Sequence, residues 1–181
     1  MTNSRKIFAI IFFALFLVYG CGEKTEDTSS DYANGEDLNL SELQVEVVIV
    51  DFWATWCPPC RKGIPDLIEL KKEYDQLEVV GISLDAISRG GSTADDVAPF
   101  IKEFGINYPV VKGDQDIVMQ YGGIQSIPTS FVIDRRGFVI ARHVGLVSKD
   151  QYKQDIEKAL AGNYDREEYI KAPLFTLPVV K

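Results

Sequence analysis

Val47–Trp53 reads Val-Val-Ile-Val-Asp-Phe-Trp, apolar at consecutive rather than alternate positions apart from one acid. A strand covered on both faces has that pattern, so the segment predicts a central strand. Residues 77–84 and 108–111 give two further apolar strands. Between the first two the period turns helical. Pro58 and Pro59 suit only the first turn of a helix, and Ile64, Leu67, Ile68 and Leu70 follow at helical spacing. Pro65 should kink that helix, because it removes an interior N–H donor. Thr93 and Asp96 have the spacing of a capping pair; Val97, Phe100, Ile101 and Phe104 share the following face, and Gly105 stops it. Asp114 can cap a short helix that ends near Gly122. Residues 129–133, the turn Asp134-Arg135-Arg136-Gly137 and residues 138–144 read as a β-hairpin. Ser148 caps a last helix, with Ile156 and Leu160 inward and Gly162 as its end. Strands alternating with helices, then a hairpin, predict an α/β fold whose central mixed sheet has helices on both sides.

The two ends behave differently. Arg5 and Lys6 precede an unbroken apolar run over residues 7–19. A membrane-spanning helix needs ~20 such residues, so the run is short for a span and suits a signal-peptide core. Val18-Tyr19-Gly20-Cys21 follows and resembles a bacterial lipobox, whose cysteine is acylated and becomes the new N-terminus, although Tyr19 is bulky for that position. The other reading is an uncleaved anchor with an incidental cysteine. Either one puts the remainder outside the cytoplasm. Residues 21–37 are polar and acidic, the composition of a flexible tether from the lipid on Cys21. A packed domain over 38–163 is expected to open with Leu38, Leu40 and Leu43. In the tail, 164–181, Leu174, Phe175 and Leu177 are expected to cover the domain, docking of a partner being the other possibility.

Composition narrows the function without naming it. The chain has 181 residues, 46% hydrophobic and 25% charged, which is ordinary for one packed domain with small appendages. Its net charge of −8 repels phosphate backbones and anionic headgroups, which excludes nucleic acid as a natural partner.

The three cysteines carry the chemistry. With Cys21 assigned to lipid, Cys57 and Cys60 form a pair. A structural zinc site needs four ligands, and His143, the sole histidine, lies far along the sequence and reads as an ordinary surface residue of a strand. No metal site is therefore expected. A redox couple fits better. Cys57 falls at the N-cap of the predicted helix, where the positive helix end and free N–H groups stabilise a thiolate. Cys60, one turn in, should be the more buried and able to reach back. Cys57 then attacks a substrate disulfide and Cys60 resolves the mixed disulfide. Neither Pro58 nor Pro59 has an N–H, so the Cys60 amide is the first donor beyond the attacking sulfur. Modest thiolate stabilisation favours the disulfide form and predicts a reductant. Asp51, an acid in a buried apolar strand, should have a raised pKa unless its side chain reaches solvent.

The segment from Val50 through Trp56-Cys57-Pro58-Pro59-Cys60 resembles the active site of the thioredoxin superfamily, and specifically the TlpA/ResA-type membrane-anchored proteins. Their second signature is matched by Tyr121-Gly122-Gly123-Ile124-Gln125-Ser126-Ile127-Pro128-Thr129, and the likeness spans roughly residues 38–162. The resemblance implies a thioredoxin-like fold and a thiol–disulfide oxidoreductase acting on exported proteins at the bacterial cell envelope. It implies protein thiol or disulfide substrates, a membrane-bound thiol donor of electrons and no cofactor. It also implies that Ile127–Pro128 is cis and faces the cysteines, offering backbone to an extended substrate, and that Asp51 lies behind the pair as a proton acceptor for Cys60 through water. Trp56, Pro58, Pro59, Ile127 and Thr129 would then give the site its shape and meet the substrate. One departure is Gly63, where such proteins often carry glutamate; it leaves the substrate open. A peroxidase of the peroxiredoxin type is the enzymatic alternative, but Ala54 stands at the threonine of its Pro-x-x-x-Thr-x-x-Cys pattern. A copper-binding protein of the Sco type is the other, and its cysteines are spaced differently.

Overall fold

The structure is a computed structural model that describes residues 37–88 and 93–180. The expected signal peptide, Cys21 and the tether up to residue 36 lie outside the described residues. Strand β1 is Asp37–Asn39, β2 is Val47–Trp53, β3 is Leu77–Ser83 and β4 is Val110–Lys112. Strands β5 (Thr129–Asp134) and β6 (Val139–Val144) form the hairpin, and β7 (Thr176–Pro178) lies near the end. The α-helices are α1 (Pro58–Glu73), α2 (Val97–Phe104), α3 (Gln115–Gln120) and α4 (Lys149–Ala161).

The continuous apolar run of β2 places it at the centre of a five-stranded sheet of order β4-β3-β2-β5-β6. It pairs in parallel with β3 and antiparallel with β5, which makes the sheet mixed. Successive side chains of β2 serve two cores. Val47, Ile49 and Trp53 pack with α1, α2 and α4; Val48, Val50 and Phe52 pack with α3 and the β1 and tail segments. Every residue of β2 is buried. Burying one large apolar side chain contributes about 1.5–3 kcal/mol, so this strand can carry one buried acid and remain central.

The expected helix with Pro65 inside is one unbroken element, and Cys57 caps it. Three details differ from the sequence reading. The third strand starts at Val110 rather than 108, because Pro109 has no N–H for the ladder; its carbonyl accepts from Gly81 N–H at 3.0 Å. Leu160 is exposed, and the inward stripe of α4 is Tyr152, Ile156 and Ala159. At about 100° per residue, 152 falls between 159 and 156 on one narrow stripe, and 160 falls on the flank beyond 156. In the tail, Phe175 is buried and Leu177 half-buried, but Leu174 points outward. An extended chain alternates its side chains, so 175 and 177 inward put 174 outward.

The last described residues, up to Val180, are part of the packed body. β7 pairs antiparallel with β1, Leu38 facing Leu177. Val179 bridges to Val111, and Val180 N–H donates to the Val110 carbonyl at 2.7 Å. Among the described residues no helix is long and apolar enough to cross a membrane.

Candidate active site

The C-terminal end of β2 delivers Cys57 to the start of α1. Cys57 has extended backbone, and its Sγ accepts from the Cys60 N–H at 3.2 Å, the capping bond expected from the two prolines. Cys57 and Cys60 are joined in a disulfide, S–S 2.08 Å, with Cα atoms 5.3 Å apart. The expectation that Cys60 is the more buried does not hold: Cys57 is 2% exposed and Cys60 3%. A second segment lies against Cys57. Ile127–Pro128 is cis, and the Ile127 carbonyl oxygen is 3.7 Å from the Cys57 Sγ. In the disulfide that is a contact; a Cys57 thiol could donate there. Pro128 is buried, its carbonyl accepting from Gly145 N–H at 2.8 Å. Thr129 is buried too, and its hydroxyl donates to the Ser126 carbonyl at 2.7 Å, so it shapes this loop from inside and offers a substrate no surface. Trp56 and Pro58 remain exposed beside the disulfide, with Pro59 and Ile127 half-buried.

The turn before Cys57 is held from β3. Asp85, 1% exposed, accepts from the Thr55 N–H at 3.1 Å, the Thr55 hydroxyl at 2.5 Å and the Ser83 hydroxyl at 2.7 Å. Trp56 Nε1 donates to Ser88 Oγ at 2.9 Å. Arg61 of α1 donates to the Thr55 carbonyl at 3.3 Å and lies over the rings of Phe100 and Phe104. The arrangement fixes the reactive turn on three sides.

Behind the disulfide is Asp51, whose register partners are Gly81 on β3 and Ser130 on β5. It is buried, and burial alone pushes its carboxyl from 3.8 up to about 7. A cavity of about 10 Å³ is lined by Asp51, Cys60, Gly63, Pro128, Leu146 and Tyr152, among others. That volume is about the least that admits a water molecule, and Asp51 and Tyr152 supply polar partners. Gly63 faces the same cavity; a Cβ there would meet Leu146 Cδ1 at 3.2 Å. A carboxyl that titrates near neutrality beside the inner cysteine is chemically suited to taking up and releasing a proton.

A model of the AhpC/TSA family matches residues 21–142. The chain belongs to the AhpC/TSA family. Over 125 residues it is 34% identical to the thiol-disulfide oxidoreductase ResA of Bacillus anthracis, covering 68% of this chain and 69% of ResA. A putative thiol:disulfide interchange protein DsbE from Chlorobium tepidum has the same fold at 31% identity, TM-score 0.60, over 70% of this chain and 96% of that one. The pneumococcal exposed lipoprotein thioredoxin Etrx1 from Streptococcus pneumoniae matches at 26% identity, TM-score 0.58, covering 67% of this chain and 98% of that one. The thioredoxin-like fold and the TlpA/ResA-type resemblance read from the two motifs are thereby established.

Within this AhpC/TSA chain, sequence reasoning found Cys57, Cys60, Asp51 and Pro128, and the structure brings all four together. It missed Asp85 and Tyr152. Asp85 had one visible signal: an acid directly after the apolar run 77–84, at the strand end where α/β sheets place their sites. Tyr152 had none, because only the register of β5 against α4 brings it near Asp51. His143 is half-buried and bonded to Asp155 at 2.7 Å, which ties β6 to α4.

Proposed function

We propose that this chain is an extracytoplasmic thiol–disulfide oxidoreductase that reduces disulfides in exported proteins. The observation that carries the reading is the buried Cys57–Cys60 disulfide, with the Ile127–Pro128 loop against its outer sulfur and Asp51 sharing a cavity with its inner one. In the reduced protein, Cys57 thiolate attacks a substrate disulfide, forming a mixed disulfide and expelling one substrate thiolate, which is protonated by solvent. Cys60 loses its thiol proton to ionised Asp51 through water and attacks the Cys57 sulfur. That breaks the mixed disulfide and releases the second substrate sulfur. Two electrons pass to the substrate, and Cys57 and Cys60 end as a disulfide. A membrane-bound thiol restores them.

Expression of Cys60→Ser in the native cell tests the exchange step. Substrate proteins should accumulate as mixed disulfides on Cys57, and their absence would overturn the mechanism. Asp51→Asn should slow resolution at neutral pH while leaving the fold intact; turnover unchanged across pH would remove Asp51 from the mechanism. The reductive direction is inferred, with support from the Cys57 Sγ having the Cys60 N–H as its first amide donor. A midpoint potential of about −200 mV or lower is expected, and one near −120 mV, as in strong periplasmic oxidants, would reverse the assignment.

Residues 1–20 are proposed as a lipoprotein signal, 21–37 as lipid anchor and tether, 38–163 as the catalytic domain and 164–181 as its tail. The likeness to a pneumococcal protein described as an exposed lipoprotein supports that plan. Cys21→Ala should move the protein from the membrane to the soluble fraction. The family description AhpC/TSA favours one second reading, a thiol peroxidase. Cys57-dependent consumption of hydrogen peroxide by the reduced protein would favour it over disulfide exchange.

A further inference from the structure

On the sheet face covered by α1, α2 and α4, Asp51 has two cross-strand neighbours. Gly81 contributes no side chain, and a Cβ there would lie 2.8 Å from Trp53 Nε1. Ser130 contributes a hydroxyl 2.7 Å from the hydroxyl of Tyr152, a buried bond between β5 and α4. Two hydroxyls carry two protons, and their mutual bond uses one. The remaining O–H makes no direct bond to Asp51 in the oxidised protein; Asp51 is the acid across the cavity from it, pairing in register with Ser130 and lining the water-sized space that Tyr152 also lines.

The surroundings are rich in donors. The Trp53 indole N–H and the Tyr108 hydroxyl are buried without a hydrogen-bond partner. Burial first, and then the charge of Asp51, push the phenols of Tyr108 and Tyr152 upward, so both stay protonated donors. The titratable groups around Asp51 are Cys60 from α1, Tyr108 from the segment before β4 and Tyr152 from α4. Asp66 and Asp155 act on Tyr152 in the same upward sense. His143, bonded to Asp155, meets the Tyr152 ring edge-on at 5.8 Å.

We propose that Tyr152 and Ser130 are positioning residues for Asp51, donating their spare O–H towards its carboxylate through the water that the shared cavity admits, so that an ionised acceptor is present when Cys60 must lose its proton. This rests on the reading of Asp51 as proton acceptor. The proton balance is closed: the Cys60 S–H breaks, Asp51 takes the proton through water, the Cys60 sulfur bonds to the Cys57 sulfur, and the substrate thiolate leaves. Asp51 later returns the proton to solvent. A hydroxyl that donates to a carboxylate through a bridging water favours the ionised form, so losing the pair leaves less acceptor at neutral pH.

The test is an infrared difference titration of the oxidised full chain in detergent, with the Asp51 band assigned by its loss in Asp51→Asn. In Tyr152→Phe/Ser130→Ala the ionisation midpoint of that band should rise by about one pH unit, the tenfold change expected for one hydrogen bond to a charged acceptor. An unchanged midpoint overturns the proposal. If the double variant does not fold, Tyr152→Phe alone is read; a rise is expected, and no rise overturns the proposal. Stopped-flow resolution gives a readout that a packing role would not move. The acidic limb of the rate profile should shift upward by the same amount, and the double substitution should have no effect in an Asp51→Asn background. If Asp51→Asn alone leaves resolution unchanged, the acceptor reading fails, whereas the carboxyl midpoint still decides whether the hydroxyl pair acts on Asp51.

Discussion

Asp51 gives the protein a pH-dependent stability whose sign is fixed by the direction of its shift. An unfolded aspartate ionises near 3.8, while burial holds the folded carboxyl at about 7. Between those values the unfolded chain carries fewer protons than the folded one, so stability falls as pH rises. The penalty is absent below the unfolded value and complete above the folded one. A gap of roughly three pH units corresponds to about 4 kcal/mol. Asp51→Asn should therefore gain stability relative to the parent between pH 4 and pH 8, read from urea midpoints of the oxidised protein. Parallel pH curves for the two would mean that the carboxyl reaches water. The residue's special position was legible as an acid inside an apolar run. Its neighbours were not: Gly81, Ser130 and Tyr152 are set by strand register and helix packing, which one sequence does not display.

At the scale of elements, the reactive turn depends on β3 as much as on β2. Asp85 accepts two bonds from Thr55 and one from the Ser83 hydroxyl, all buried. Asp85→Ala would leave those donors without an acceptor, at about 1–3 kcal/mol for each one that stays buried. A loss of at least ~2 kcal/mol is expected in urea unfolding, together with slower disulfide reduction from a loosened Cys57. Asp85→Asn, which keeps an acceptor oxygen, should recover part of both; equal losses in the two variants would point to charge rather than bonding. Helices and strands themselves were largely readable, since continuous and 3.6-residue apolar periods are imposed by burial. Boundaries failed where one residue overrode the period: Pro109 delayed β4, and Leu160 satisfied a four-residue step yet lay off the buried stripe. The disulfide pair was readable in kind, but the equal burial of its cysteines required the Ile127–Pro128 loop in place.

For the whole molecule, residues 172–179 act as a strap across the face of the sheet opposite the disulfide. Phe175 and Ala172 complete the core built from Leu38, Val50, Phe52 and Tyr121, and the Phe175 and Tyr121 rings meet edge-on at 6.3 Å. Tyr121 also donates to the Pro173 carbonyl at 3.1 Å. The tail and the first strand therefore hold each other: β7 can pair only while β1 is in place, and both cover the same apolar surface. Phe175→Ala removes a 7%-exposed ring at this junction. Truncation of such a ring costs about 3–5 kcal/mol, because the cavity it leaves adds to the lost transfer energy. Cys57, Cys60 and Asp51 contribute to the other face, so the midpoint potential of Phe175→Ala should stay that of the parent while its denaturation midpoint falls. A potential that moved with stability would show that the two faces of the sheet are coupled and that the tail helps to set the chemistry of the cysteine pair.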